Sequence, residues 1–140
     1  MSNKILASGF MTDKVIVANV NNTFSQVLEF FTQHHIQHLP VADGDTLIGI
    51  ISDTDMLSYM ARELKTNALD FARLNMTFQI KNVMTPDPVS VAPEETIENI
   101  LKILGEGKFQ SVPVVKDGII KGIITNKDLV RAYNWEKNHS

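Results

Sequence analysis

Sliding the 140-residue chain by 73 positions lays residues 11–57 on residues 84–130 without a gap. Met11-Thr12 falls on Met84-Thr85, Thr23 on Thr96 and Leu28 on Leu101. Gln37 falls on Gln110, Pro40-Val41 on Pro113-Val114, Gly49-Ile50-Ile51 on Gly122-Ile123-Ile124, and Asp55 on Asp128. The overlay holds 11 identities in 47 positions, and many of the rest are apolar on apolar. A repeated supersecondary unit is implied, and whatever the chain folds into must be built twice. A unit of this size buries too little apolar surface to stand alone, so the copies are expected to pack on each other.

Each copy carries the same signals in the same order. Strands are expected at Val15–Val20 and Pro88–Val91. Thr23 and Gln26 form a capping box before Phe24, Val27, Leu28 and Phe31, which recur at helical spacing. Thr96 opens the matching helix, with Ile97, Ile100, Leu101 and Leu104 as its stripe and Gly105 or Gly107 closing it. Strands His38–Ala42 and Ser111–Val115 follow. Asp43-Gly44-Asp45 and Lys116-Asp117-Gly118 then have hairpin chemistry. The next strands are Thr46–Ile51 and Ile119–Ile124, and Ser52 or Thr125 is suited to cap a second helix. The unit reads β-α-β-β-α and the fold class is α+β. The repeats are expected at 1–66 and 83–140, with a joining segment at 67–82. The stretch 58–82 between the two repeated units has helical character over Met60–Leu74, with Leu64, Ala68, Phe71 and Ala72 on one face. Residues 131–140 are expected to fray from the last helix.

Composition narrows the functions. A net charge of −3 argues against a sequence-independent nucleic-acid binder, which needs a basic face. Apolar runs are too short to span a bilayer, the N-terminus does not resemble a secretory signal, and there is no cysteine. A cytoplasmic protein is expected. No paired carboxylates, activated nucleophile or metal set suggests an enzyme. Gly105-Glu106-Gly107-Lys108 lacks the spacing and the hydroxyl of a Walker A loop. His34 and His38 have i,i+4 spacing, but Pro40 puts His38 on a strand, and no histidine recurs in the second copy, so no metal site is expected. Trp135 is expected to cover the core edge, and Met56, Met60 and Met76 to fill gaps.

The chemistry concentrates at two strand-to-helix joins, Gly49-Ile50-Ile51-Ser52-Asp53-Thr54-Asp55 and Gly122-Ile123-Ile124-Thr125-Asn126-Lys127-Asp128. Backbone N–H groups and a hydroxyl at a helix start can meet phosphate oxygens. A carboxylate can accept both hydrogen bonds of a vicinal diol. Helix capping alone would also explain each join. Their recurrence in register, each after a Pro-Val strand, favours a ligand.

Both repeats resemble CBS domains, named after cystathionine β-synthase, and the pair resembles a Bateman module over about residues 1–133. The resemblance implies a pseudo-twofold pair with two clefts, holding AMP, ADP, ATP or S-adenosylmethionine as regulatory ligand, and a homodimer. It implies that the Asp binds ribose and that the Ser/Thr lies near ribose or phosphate. The residues two and three before the Pro would approach phosphate, and the Met-Thr segment would line the base pocket. By position, the first site would use Thr12, Gln37, His38, Ser52 and Asp55. The second would use Thr85, Gln110, Ser111, Thr125 and Asp128, with Lys127 nearby. Some members of the family carry basic residues before the Pro step. Here only His38 can be cationic, and it is mostly neutral at pH 7.

The copies differ in charge. Six acids stand against one lysine in 11–57, and seven acids against five lysines in 84–130. Asp53, Asp43 and Asp45 surround the first site, whereas Asn126, Lys127, Lys108 and Lys116 attend the second. The second is therefore expected to hold phosphate better. A ligand-free dimerisation or protein-interaction module is the alternative reading.

Overall fold

The computed structural model describes residues 5–139. It resolves into two compact units that cut across the repeat boundaries. One comprises residues 16–87; the other joins the N-terminal residues to 15 with those from 88 onward.

The first unit is a four-stranded sheet in the order β1-β2-β3-β4, with helices packed on it. Strand β1 (Ala18–Asn19) runs parallel to β2 (His38–Asp43), which forms a hairpin with β3 (Thr46–Ser52). The short strand β4 (Thr85–Pro86) closes the far edge, antiparallel to β3. Helix α2 (Phe24–His34) starts as the sequence predicts. The Thr23 hydroxyl accepts from Gln26 N–H, and the Gln26 side chain accepts from Thr23 N–H. Its apolar stripe is buried at Phe24, Val27 and Phe31.

The joining segment departs from expectation. Helix α3 (Asp53–Leu64) stops, and α4 (Phe71–Thr77) begins anew. The Asp70 carboxylate forces that restart by accepting from Ala72 and Arg73 N–H. The expected face (Leu64, Ala68, Phe71, Ala72) stays largely exposed, while Leu74, Phe78 and Ile80 are buried. Phe24, Tyr59 and Phe78 form an aromatic cluster with centroids 5.3–5.9 Å apart. Met56 fills the core as expected, but Met76 is on the surface at 86% exposed.

The second unit repeats this plan around the hairpin β5 (Ser111–Lys116) and β6 (Ile119–Thr125). Val91 bridges to Val114 in parallel where β1 would be, and Thr12 bridges to Ile123 where β4 would be. The two hairpins share even an irregularity of register, at Val41/Ala42 and Val114/Val115. Their turns differ. Asp117 and Gly118 both have positive φ, as a type I′ turn needs, whereas only Gly44 does in the other. Helix α5 (Ile97–Gly105) is capped by Thr96, and the short α1 (Ala7–Phe10) lies against α6 (Asn126–His139). The expected fraying after Val130 is not seen: α6 continues to His139, with Ala132 buried and Trp135 edge-on to Phe10.

The Met-Thr segments are exchanged. The one preceding the first repeat pairs with β6, and the one preceding the second pairs with β3. Each crosses a glycine. A β-carbon on Gly122 would lie 2.8 Å from Met11 Cγ and 2.9 Å from Thr12 O, and one on Gly49 would lie 2.8 Å from Thr85 O. The repeated glycine of Gly-Ile-Ile is therefore a place where one chain segment lies directly on another.

Candidate functional site

In the first unit β2 and β3 place His38 opposite Ser52. Ser52 begins α3 through a reciprocal cap: its hydroxyl accepts from Asp55 N–H at 3.1 Å, and Asp55 Oδ2 accepts from Ser52 N–H at 2.8 Å. Gln37 is exposed, and its carbonyl accepts from Asp53 N–H. Asp55 Oδ1 accepts no hydrogen bond among the described residues, so it keeps lone pairs for an incoming donor. Four of the predicted residues, Gln37, His38, Ser52 and Asp55, thus gather here, with Asp53 beside them. Thr85 joins the same sheet through its pairing with Ile50.

Burial pushes the His38 imidazole below its usual range, against the smaller upward pulls of Asp53 and Asp55. The unfolded chain therefore binds this proton first as pH falls, so stability drops as pH descends through the ordinary histidine range of about 6.5 and below. His38→Gln should flatten the fall in melting temperature between pH 7.5 and 5.5; equal slopes in variant and parent would exclude this origin.

In the second unit Ser111 lies opposite Thr125 and is buried. Asp128 is only 5% exposed, and both of its oxygens are occupied. Oδ2 accepts from Thr125 N–H at 2.9 Å and from the Thr125 hydroxyl at 3.3 Å. Oδ1 accepts from the Thr12 hydroxyl at 3.3 Å and from the Arg131 guanidinium at 2.9 Å. Gln110 and Lys127 are exposed beside this centre.

Two findings change the expected grouping. Thr12 meets Asp128 in the second unit, and Thr85 lies on the sheet that carries Ser52 and Asp55, the reverse of the assignment by repeat. The exchanged edge segments are the cause. Arg131 was missed altogether, although its i,i+3 spacing from Asp128 on a helix was the available signal. It also donates to Phe10 O at 2.7 Å, tying α1 to the site. Lys116, counted above as a nearby cation, is paired with Glu94 at 3.2 Å. No group of three or more metal-ligating side chains occurs among the described residues, and His34, His35 and His38 sit on a helix, its left-handed end and a strand respectively.

The CBS domain model matches residues 7–62 and again residues 80–134, most of the chain. The chain belongs to the CBS-domain family. CBSX1, a chloroplastic CBS domain-containing protein of Arabidopsis thaliana, is 32% identical over 88% of this chain and 61% of its own length. An inosine-5'-monophosphate dehydrogenase of Korarchaeum cryptofilum is 30% identical over 88% of this chain and 23% of its own length. The chain thus spans only part of these relatives. The crystal structure of CBSX2, also from Arabidopsis thaliana, in complex with AMP matches with a TM-score of 0.77 and 30% identity. That match covers 95% of this CBS pair and 98% of the CBSX2 chain.

Proposed function

We propose that this CBS pair is a regulatory module that senses adenosine ligands, among AMP, ADP, ATP and S-adenosylmethionine, and passes a packing change to a protein it regulates. The observation that carries the reading is the recurrence, in each unit, of an acid held by backbone N–H at the first turn of a helix beside a hydroxyl, Ser52–Asp55 and Thr125–Asp128. The AMP complex of CBSX2 supports the ligand class. In the first unit Asp55 would take the ribose hydroxyls with its open oxygen, with Ser52, His38, Gln37 and Thr85 around it. In the second, Asp128 would take them only by releasing Thr12 or Arg131 from its Oδ1, with Thr12 beside it and Thr125, Ser111, Gln110, Lys127 and the freed Arg131 toward phosphate. The ligand acts only through unequal affinity for two arrangements of the protein. The module performs no chemistry of its own in this reading, and turnover of ATP by the pure protein would count against it. A cytoplasmic homodimer goes with the reading, formed through exposed apolar helix residues such as Leu57 and Leu64.

The second unit is the better phosphate site. Arg131 and Lys127 stand there where Asp53 adds negative charge in the first. Two neighbouring charges reversed at exposed positions are worth roughly tenfold or more in affinity. Calorimetry with AMP and ATP should therefore show at least a tenfold loss for Arg131→Ala, which leaves the Thr125 cap intact, and for Asp128→Ala. Asp55→Ala should have the smaller effect, and binding abolished by Asp55→Ala alone would reverse the ranking.

One observation favours a second reading. Thr12, Thr125 and Arg131 together give Asp128 four hydrogen bonds, which fills the acceptor positions of a carboxylate and leaves none over for a ribose hydroxyl. A melting temperature unmoved by the whole ligand panel would establish that reading, since binding to the folded state must stabilise it.

A further inference from the structure

The first unit has a polar cleft of about 470 Å³, rimmed by Asn21, Asp43, Gln79 and Lys81 over the buried Phe78 and Ile80. It lies at the turn end of the β2–β3 hairpin, whereas His38 and Ser52 stand at the other end. In the second unit the same place is shut. Ala7 N–H donates to Glu95 O at 2.8 Å, Ser8 N–H to Pro93 O at 3.0 Å and Ile97 N–H to Ile5 O at 2.9 Å. Lys116 pairs there with Glu94 at 3.2 Å. Shifted by 73 positions, these four contacts become Ile80–Asn22, Lys81–Val20, Phe24–Phe78 and Asp43–Asn21. The register holds in the structure, since Met11 N–H donates to Ala7 O just as Met84 N–H donates to Ile80 O. None of the four is made in the first unit among the described residues. All of the residues involved except Phe24 line the cleft. The loop before α2 is bonded to itself instead: Asn22 Oδ1 accepts from Asn19 N–H at 2.6 Å, and Asn19 Oδ1 from Asn21 N–H at 2.9 Å.

We propose that this cleft binds a small peptide-like zwitterion, an α-amino acid or a dipeptide, with its ammonium toward Asp43 and its carboxylate toward Lys81. The ligand supplies what the second unit supplies from its own chain. That is one amine, one carboxylate and the peptide groups that meet across the closed copy. Asp43 and Lys81 are of opposite sign on one rim, and neither has an ion-pair partner among the described residues. Asp43 stands where the second unit has Lys116, so it calls for the cation that a paired Glu94 cannot be. The carbonyls of Val20 and Asn22 and the N–H groups of Ile80 and Lys81 make no backbone hydrogen bond here, although their counterparts do. Backbone groups left so are open to water or to a ligand's amide. The side-chain amides of Asn21 and Gln79 add donors and acceptors, and Phe78 and Ile80 give an apolar floor. The volume is that of a small-molecule site. The assignment is independent of the adenosine reading, which concerns the opposite end of the hairpin.

The probes are alanyl-glutamine and, separately, the free amino acids, titrated into isotope-labelled full-length protein and followed by amide NMR shifts. Saturable shifts are expected at Asn22, Ile80 and Lys81. Acetylating the dipeptide's amine, or amidating its carboxyl, should each weaken binding several-fold, as loss of one exposed ion pair does. Saturation by a free amino acid assigns the cleft to that ligand, and saturation by the dipeptide alone assigns it to a peptide. The double variant Asn21→Glu/Asp43→Lys imports the pair that shuts the second unit. It should abolish the shifts without lowering the melting temperature. Asp43→Asn keeps the test alive if that variant is unstable: it should weaken the free dipeptide several-fold and leave the acetylated one unchanged. Absence of saturation by every probe would overturn the proposal. So would equal binding of a dipeptide blocked at both ends, or an Asp43→Asn effect that ignores acetylation.

Discussion

Phe24→Ala should lower stability by about 4 kcal/mol, the upper range for emptying an aromatic site in a core. Phe24 is wholly buried, and its ring meets Tyr59, Phe71 and Phe78 at centroid distances of 5.7–6.1 Å. Those three neighbours come from α3, α4 and the segment after it, so one truncation loosens every helix that covers the first sheet. A fall in melting temperature of about 15 °C follows from that loss in a chain of this length. Phe24→Leu should cost less than half as much, because leucine retains most of the volume. Similar melting curves for the alanine variant and the parent would mean that α4 is not part of the cooperative core.

Gly122→Val should cost about 3 kcal/mol, or about 10 °C in melting temperature, by forcing apart segments that already touch. The Met11 side chain can swing away from the new methyl groups, but Thr12 O is backbone and cannot. Relief requires the Thr12–Ile123 bridge to open, which withdraws the Thr12 hydroxyl from Asp128. On the proposed function, affinity of the second unit for adenosine ligands should fall with stability. Gly105→Ala is the control: nothing lies within 4 Å of the added β-carbon, and alanine favours helix. A Gly122→Val protein as stable as that control would show that the edge segment contributes little.

Local chemistry made much of the fold legible. Thr23–Gln26 and Ser52–Asp55 announce helix starts because a cap is written in residues three apart, and the hairpins because turn residues have specific backbone needs. The two-residue strands were not legible to the same degree. Thr85-Pro86 and the single bridge at Thr12 are too short to show any alternation, so nothing local says which sheet they join. That gap mis-sorted Thr12 and Thr85 between the sites. The restart of the helix at Asp70 was overlooked for a related reason: the apolar positions around it fit helical spacing on either side of the break. Arg131 was hidden by the expectation that α6 would fray, although its partner Asp128 was among the first residues singled out.

The exchanged edge segments bear on how this protein can be handled and cut. Residues 16–87 form an unbroken stretch that keeps all four strands of its sheet, whereas a fragment beginning after residue 82 leaves its own sheet without the Thr12 edge. A tag or fusion attached at residue 1 therefore pulls first on the half of the molecule encoded last, and mechanical load arriving at the amino terminus is felt beside Asp128 rather than beside Asp55.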